Sequence, residues 1–230
     1  MPYQKLQSIL KNTHAVLWDF DGCFANTEQL HFQAYRIAFA EFGYDLVEDG
    51  YYYNFTHLGE GAAKEIEKHN LKINLDAVMA AKKQAYDIIL NQKNARVFEQ
   101  TPAILQCFKN MNCKQAIASN SPASEINLIL SYNTLPVILD TVIGKMGDLR
   151  KKPAPDIFKH AMETLNVEAK NTLVLEDSQR GLEAAMHAGC SAIWIRTPQN
   201  ADLKTEIPHI ISLTHTELLH ELKKFNDSKS

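Results

Sequence analysis

Five short, mostly apolar runs, at residues 15–18, 115–118, 172–175, 191–195 and 210–213, limit what this chain can become. Runs of that length are too brief for buried helices and read as strands covered on both faces. Residues 136–143 are a further strand candidate. Helical periodicity over residues 102–111, 155–165, 180–188 and 216–225 alternates with these runs, as repeated strand–helix–strand units require. The expected fold is therefore α/β, a doubly wound, Rossmann-like parallel sheet.

The alternation breaks between about residues 28 and 94, where HFQAYRIAFAEFG, AAKEIEKHN and LDAVMAAKKQAYDIIL are all helical patterns with no strand between them. This predicts an inserted α-helical domain. The expected division is an α/β core from residues 1–26 and 97–230 and a helical cap over 27–96, with crossings near 25–27 and 95–101 as hinges.

Charge narrows the partners. Lys plus Arg number 24 against 27 Asp plus Glu, so there is no basic excess to hold a nucleic acid or an anionic membrane. Four scattered cysteines, at 23, 107, 113 and 190, form no disulfide framework and are expected as reduced thiols. With no membrane-length or signal-like apolar run, the expectation is a cytoplasmic protein, a monomer or weak homodimer.

In an open parallel sheet, ligands bind outside the carboxyl ends of the strands. Asp19-Phe20-Asp21-Gly22 follows the first apolar run, Ser119-Asn120-Ser121 the second and Glu176-Asp177-Ser178 the third, while Lys152 lies at a helix entrance in KKPAPD. Each alone could be a cap or turn. Together they describe a site. Asp19, Glu176 and Asp177 at one sheet edge would repel one another without a cation, and all-oxygen ligation suits Mg2+. Lys152 and Ser119 suit a phosphate. Asp19 and Asp21, two residues apart, project to one side, so one can attack phosphorus while the other handles protons. Asp19, beside Mg2+ and Lys152, is expected to have a lowered pKa. Gly22 lets the chain turn sharply away.

DFDGC, ASNS, KKPAPD and LEDS together resemble the four motifs of the haloacid dehalogenase superfamily of phosphotransferases. The helical insert, HFQAY and LEDSQRGLEAA are similar to its subgroup of β-phosphoglucomutases and small sugar-phosphate phosphatases. The resemblance implies an aspartyl-phosphate on Asp19, an acid/base role for Asp21, and Mg2+ bound by Asp19, the Asp21 carbonyl and Asp177, with Glu176 a direct or water-mediated contact. It places Gly22, Ser119, Asn120, Lys152 and His31 around the substrate phosphate. Cys23 departs from the usual residue and contributes only backbone.

The expected reaction is hydrolysis of a small phosphorylated metabolite, a sugar or polyol phosphate. Two alternatives stand beside it: phosphoryl transfer within a hexose phosphate, and a catalytically silent binder of phosphorylated ligands. His31 and Thr27 match mutase-like members, but Ala62 stands around where a mutase would present an arginine. Tyr51, Tyr52, Tyr53 and Phe55 are expected to pack the cap, and His215 and His220 to lie on the surface.

Overall fold

The computed structural model describes residues 2–228. Its six strands are β1 (Ala15–Trp18), β2 (Lys114–Ala118), β3 (Thr141–Ile143), β4 (Thr172–Glu176), β5 (Ser191–Arg196) and β6 (Ile211–Thr214). All pair in parallel, in the order β3-β2-β1-β4-β5-β6. This is the doubly wound α/β sheet. Its direction of winding reverses beside β1, which lies between β2 and β4, and a crevice opens there at the carboxyl ends.

Strand alternation explains why the runs are apolar throughout. Val16 and Trp18 enter one layer with Ile117, Leu173, Leu175, Ile193 and Ile195. Ala15 and Leu17 enter the opposite layer with Ala116, Ala118, Val174 and Trp194. The first layer is covered by α1 (Pro2–Asn12), α5 (Thr101–Asn110), α6 (Ala123–Ser131) and α9 (His215–Asp227) through Leu6, Ile104, Phe108, Ile126, Leu218 and Leu222. The second is covered by α7 (Asp156–Leu165) and α8 (Gln179–His187) through Ile157, Phe158, Ala161, Leu182 and Ala185.

Two of these helices, α1 and α6, were not anticipated from periodicity. Each joins the core through only a few fully buried residues, Leu6 and Leu10 in one and Ile126 and Ile129 in the other. The third strand is also shorter than the 136–143 candidate, because residues 133–140 form a turn-rich connection that leaves Ile138 94% exposed.

Between β1 and β2 lie α2 (Glu28–Ala40), a π-helical segment Tyr52–His57, α3 (Gly61–Lys68) and α4 (Leu75–Asn91). Phe32, Phe39, Leu46, Tyr51, Ala62 and Val78 give them an apolar cluster of their own. Asn74 caps α4, its side chain accepting from the Ala77 N–H at 3.0 Å. The two crossings run side by side: Asn26 N–H donates to Arg96 O at 2.8 Å, and Ala25 bridges Val97 antiparallel. The aromatic residues 51 and 55 stack at 4.6 Å within this cluster and also reach the cleft below. Among the described residues no helix is long and apolar enough to cross a membrane.

Candidate active site

The site begins with backbone. The Asp19 N–H continues the β1–β4 ladder by donating to Leu175 O at 2.9 Å, which brings Asp19 beside the end of β4. The chain then turns: Phe24 and Ala25 N–H both donate to Phe20 O, and Gly22 N–H to Ala25 O at 2.9 Å. Gly22 has φ +77°, and a Cβ there would fall 2.2 Å from Asp177 Oδ2. Only glycine combines that backbone with that approach.

Asp19, Glu176 and Asp177 are buried and can each place one oxygen within 4.8 Å of the others. Their present partners differ. Lys152 Nζ donates to Asp19 Oδ1 and, at 2.7 Å, to Glu176 Oε1. Glu176 Oε2 accepts from the Asp177 and Ser178 N–H groups and the Ser178 hydroxyl, at 3.0, 3.1 and 3.0 Å. Glu176 is thus tied to Lys152 and to the loop after β4. No described residue donates to the Asp177 carboxylate.

Burial pushes the Asp19 carboxyl well above its ordinary range and Glu176 adds to this, outweighing Lys152. The same direction holds for Asp177, through burial, Glu176 and Asp19. The protein's own groups thus raise Asp19, because one lysine is shared among three desolvated acids; the expected lowering belongs to the site with Mg2+ bound. Two oxygen-only ligands with more negative charge than the chain neutralises are what a hard dication fits. Asp19 and Asp177 could hold Mg2+, with Glu176 at its margin.

Asp21 is in the opposite condition. It accepts from the Thr27 hydroxyl at 2.5 Å, the Ser121 hydroxyl at 2.5 Å and His31 Nε2 at 3.1 Å. Burial would raise its pKa, but the His31 imidazole and these three hydrogen bonds hold it well below the usual carboxylate range. His31 Nδ1 faces Lys82 Nζ at 3.0 Å. The ring therefore bridges Lys82 and Asp21, with Nε2 donating to the carboxylate. The ring also stacks on Tyr86 at 4.2 Å.

The remaining residues of the four motifs meet here too. Ser119 is 2% exposed, and its Oγ accepts from Ser121 N–H at 3.1 Å. Asn120 Oδ1 accepts from Lys152 N–H at 3.2 Å and fixes the lysine's backbone. These groups open onto a cleft of about 570 Å³ between the strand ends and the helical segment, lined also by Glu28, Tyr35, Lys82, Glu125 and Arg180. Cys23 is fully buried, and burial raises its thiol pKa well above the ordinary value, in keeping with a backbone role.

Sequence reasoning missed the roles of Ser121 and Lys82. Ser121 stood in view beside Ser119; Lys82 is one of several lysines on an amphipathic helix and carried no local signal. His215 is a correction. It is 5% exposed, stacks on Phe98 at 4.4 Å and bonds Cys23 O at 2.7 Å, supporting the turn that follows Asp19 from beneath. Surface placement holds for His220, which is exposed.

The family model of the haloacid dehalogenase-like hydrolases matches residues 16–195, and the chain belongs to that family. Phosphorylated carbohydrates phosphatase of Thermotoga maritima is 28% identical over 221 residues, 91% of this chain and 98% of its own. The 6-phosphogluconate phosphatase of Escherichia coli is 24% identical, over 94% of this chain and 96% of its own. The crystal structure of CbbY from Rhodobacter sphaeroides in complex with phosphate superposes with a TM-score of 0.74 at 23% identity, covering 92% of this chain and 99% of that one. That likeness is one of fold. The chain is a hydrolase with phosphatase relatives.

Proposed function

We propose that the protein is a Mg2+-dependent phosphatase of small phosphorylated metabolites, sugar or polyol phosphates, working through an aspartyl-phosphate. The observation that carries the reading is the meeting of Asp19, Lys152 and Asp177 at one strand edge, with Asp21 two residues beyond the first and held by separate donors. The names of the two phosphatase relatives support the carbohydrate class.

Asp19, Asp177 and the Asp21 carbonyl are the groups that would hold Mg2+, with Glu176 a direct or water-mediated contact. When bound, the ion supplies positive charge for the acids and for the phosphoryl oxygens. Lys152 and Ser119 receive the same oxygens. The Asp19 carboxylate attacks phosphorus, the bond from phosphorus to the ester oxygen breaks, and Asp21 protonates the departing oxygen. In the second half, Asp21 takes a proton from water, whose oxygen attacks the phosphoaspartate and releases inorganic phosphate. A carboxylate held ionised by its three donors fits this second half directly. For the first half it must gain a proton, which requires the Thr27, Ser121 and His31 donors to shift as substrate enters.

Residues 27–96 act as the cap, closing on the core through the paired crossings at Ala25 and Val97 and setting selectivity from above the cleft. Ala62 lies in the apolar interior of this segment and offers no anion clamp there, so hydrolysis is preferred to mutase transfer. A panel of hexose phosphates, phosphogluconate, phosphoglycolate, glycerol phosphate and nucleotides, assayed for phosphate release with Mg2+ and with EDTA, tests the proposal. Metal-dependent release from carbohydrate phosphates, lost in Asp19→Asn, is the expected result; isomer formation without release would favour the mutase.

A further inference from the structure

Among the cations that line the cleft, Arg180 has no place in the chemistry above but holds two parts of the protein at once. Arg180, the second residue of α8, makes no ion pair with any described carboxylate and uses its guanidinium on two carbonyls. Nη2 donates to Lys152 O, and Nη1 reaches Gly59 O at 3.4 Å. The two carbonyls belong to different parts of the protein. Lys152 carries the ammonium aimed at Asp19, whereas Gly59 lies between the π-helical segment and α3, above the sheet edge.

The packing at Gly59 is as specific as the hydrogen bonding. Gly59 has φ +69°, and a Cβ there would fall 1.8 Å from Arg180 Nη1 and 2.4 Å from its Cδ and Cζ. The guanidinium fills the space that any side chain at 59 would need. On the core side, Asn120 holds the N–H of Lys152 and Arg180 holds its carbonyl, so both backbone groups of the lysine are fixed by partners from other elements. One of those partners also touches the helical segment. The neighbouring contact repeats the connection: Gln179 N–H donates to His57 Nδ1 at 3.3 Å.

We infer that Arg180 is a positioning residue that couples seating of the 57–61 loop to the placement of Lys152. With the loop seated, the guanidinium is confined between Gly59 and the Lys152 carbonyl. With the loop lifted, it loses one of its two partners and the space that confines it, and the hold on Lys152 loosens. The lysine is then fully positioned only when the cleft is covered. This deepens the phosphatase reading and rests on it for its catalytic consequence, though not for its structural one.

A double-mutant cycle tests the coupling. With 4-nitrophenyl phosphate and Mg2+, Arg180→Ala and Gly59→Ala should each lower kcat/KM by about tenfold or more, the second because its methyl group displaces the guanidinium. In the Arg180→Ala background, Gly59→Ala should cost under about threefold, what is left there being backbone strain at a positive φ, which is common to both backgrounds and drops out of the coupling between the two sites. Arg180→Lys should recover part of the loss. Multiplicative losses would overturn the inference. Hydrogen exchange reads it independently of turnover: Arg180→Ala should speed exchange at both 57–61 and 151–156 while the sheet stays protected. Faster exchange in only one segment, or in neither, would refute the coupling whether or not the protein hydrolyses phosphate esters. A wild-type chain inactive on the whole phosphate panel, with both segments loosened, would instead remove the phosphatase reading and leave the coupling standing.

Discussion

Gly22 and Asp177 share a space too small for another atom: a Cβ on residue 22 would lie 2.2 Å from Asp177 Oδ2. The turn that carries Asp21 and the carboxylate that could hold a metal are therefore positioned by the same contact. Gly22→Ala must push Asp177 aside and also strain a backbone at φ +77°. The expected outcome is a loss of Mg2+ affinity of about 10–100-fold with the sheet intact. Calorimetric titration with Mg2+, alongside circular dichroism, checks it.

Among the described residues Asp177 is the buried carboxylate without a donor, beside Asp19 and Glu176. Replacing it by Asn keeps the shape and removes the repulsion. Metal-free Asp177→Asn should therefore unfold at a higher temperature than the wild type, by about 2–4 °C for each kcal/mol of repulsion relieved. Its Mg2+-dependent activity should be nearly gone. A lower midpoint by scanning calorimetry would contradict the repulsion argument.

Protons and metal compete for the same acids. Burial and mutual repulsion raise the carboxyl pKa values of Asp19 and Asp177, so the metal-free site keeps a proton at pH values where an ordinary carboxyl has lost it. Below that raised pKa, Mg2+ must displace the proton. Apparent affinity should climb by up to about tenfold per pH unit and then level off above it. The sign for stability is the reverse of the usual carboxylate case: the raised pKa stabilises the metal-free fold toward acid pH, and that contribution fades as pH rises through it. Mg2+ titrations and thermal midpoints across pH 4–8, a span of about four units, read both trends.

Asp21 supplies a proton that matters in proportion to how badly the leaving oxygen needs one. In a single turnover, Asp21→Asn should slow release of the alcohol from an alkyl ester such as a hexose phosphate by about 10²–10⁴-fold and release of 4-nitrophenol much less, since that group departs without help, while hydrolysis of the shared phosphoaspartate slows equally for both. Lys82→Ala acts on the same proton from further away, by releasing His31 Nδ1 and with it the Nε2–H that bonds Asp21. It should show the same preference for the alkyl ester at smaller size. Equal losses of leaving-group release from the two esters in that first step would remove the acid role.

The parallel α/β class, the three polar strand ends, the lysine at a helix entrance and the helical interruption could all be read from the chain, because strands buried on both faces are apolar throughout and ligands gather at their carboxyl ends. Asp19, Asp21, Ser119, Lys152, Glu176 and Asp177 stood within those local patterns, and the structure brings them together. Tertiary structure alone decided who serves whom. Lys82 reaches His31 across 51 positions, His215 supports Cys23 across 192, and Arg180 meets Gly59 across 121. None of these partners carries a local pattern, since each depends on which helix face packs over the sheet edge. The direction of the Asp19 pKa was hidden for the same reason. Chain order places a lysine near an acid, but burial and the number of acids sharing that lysine are properties of the folded interior.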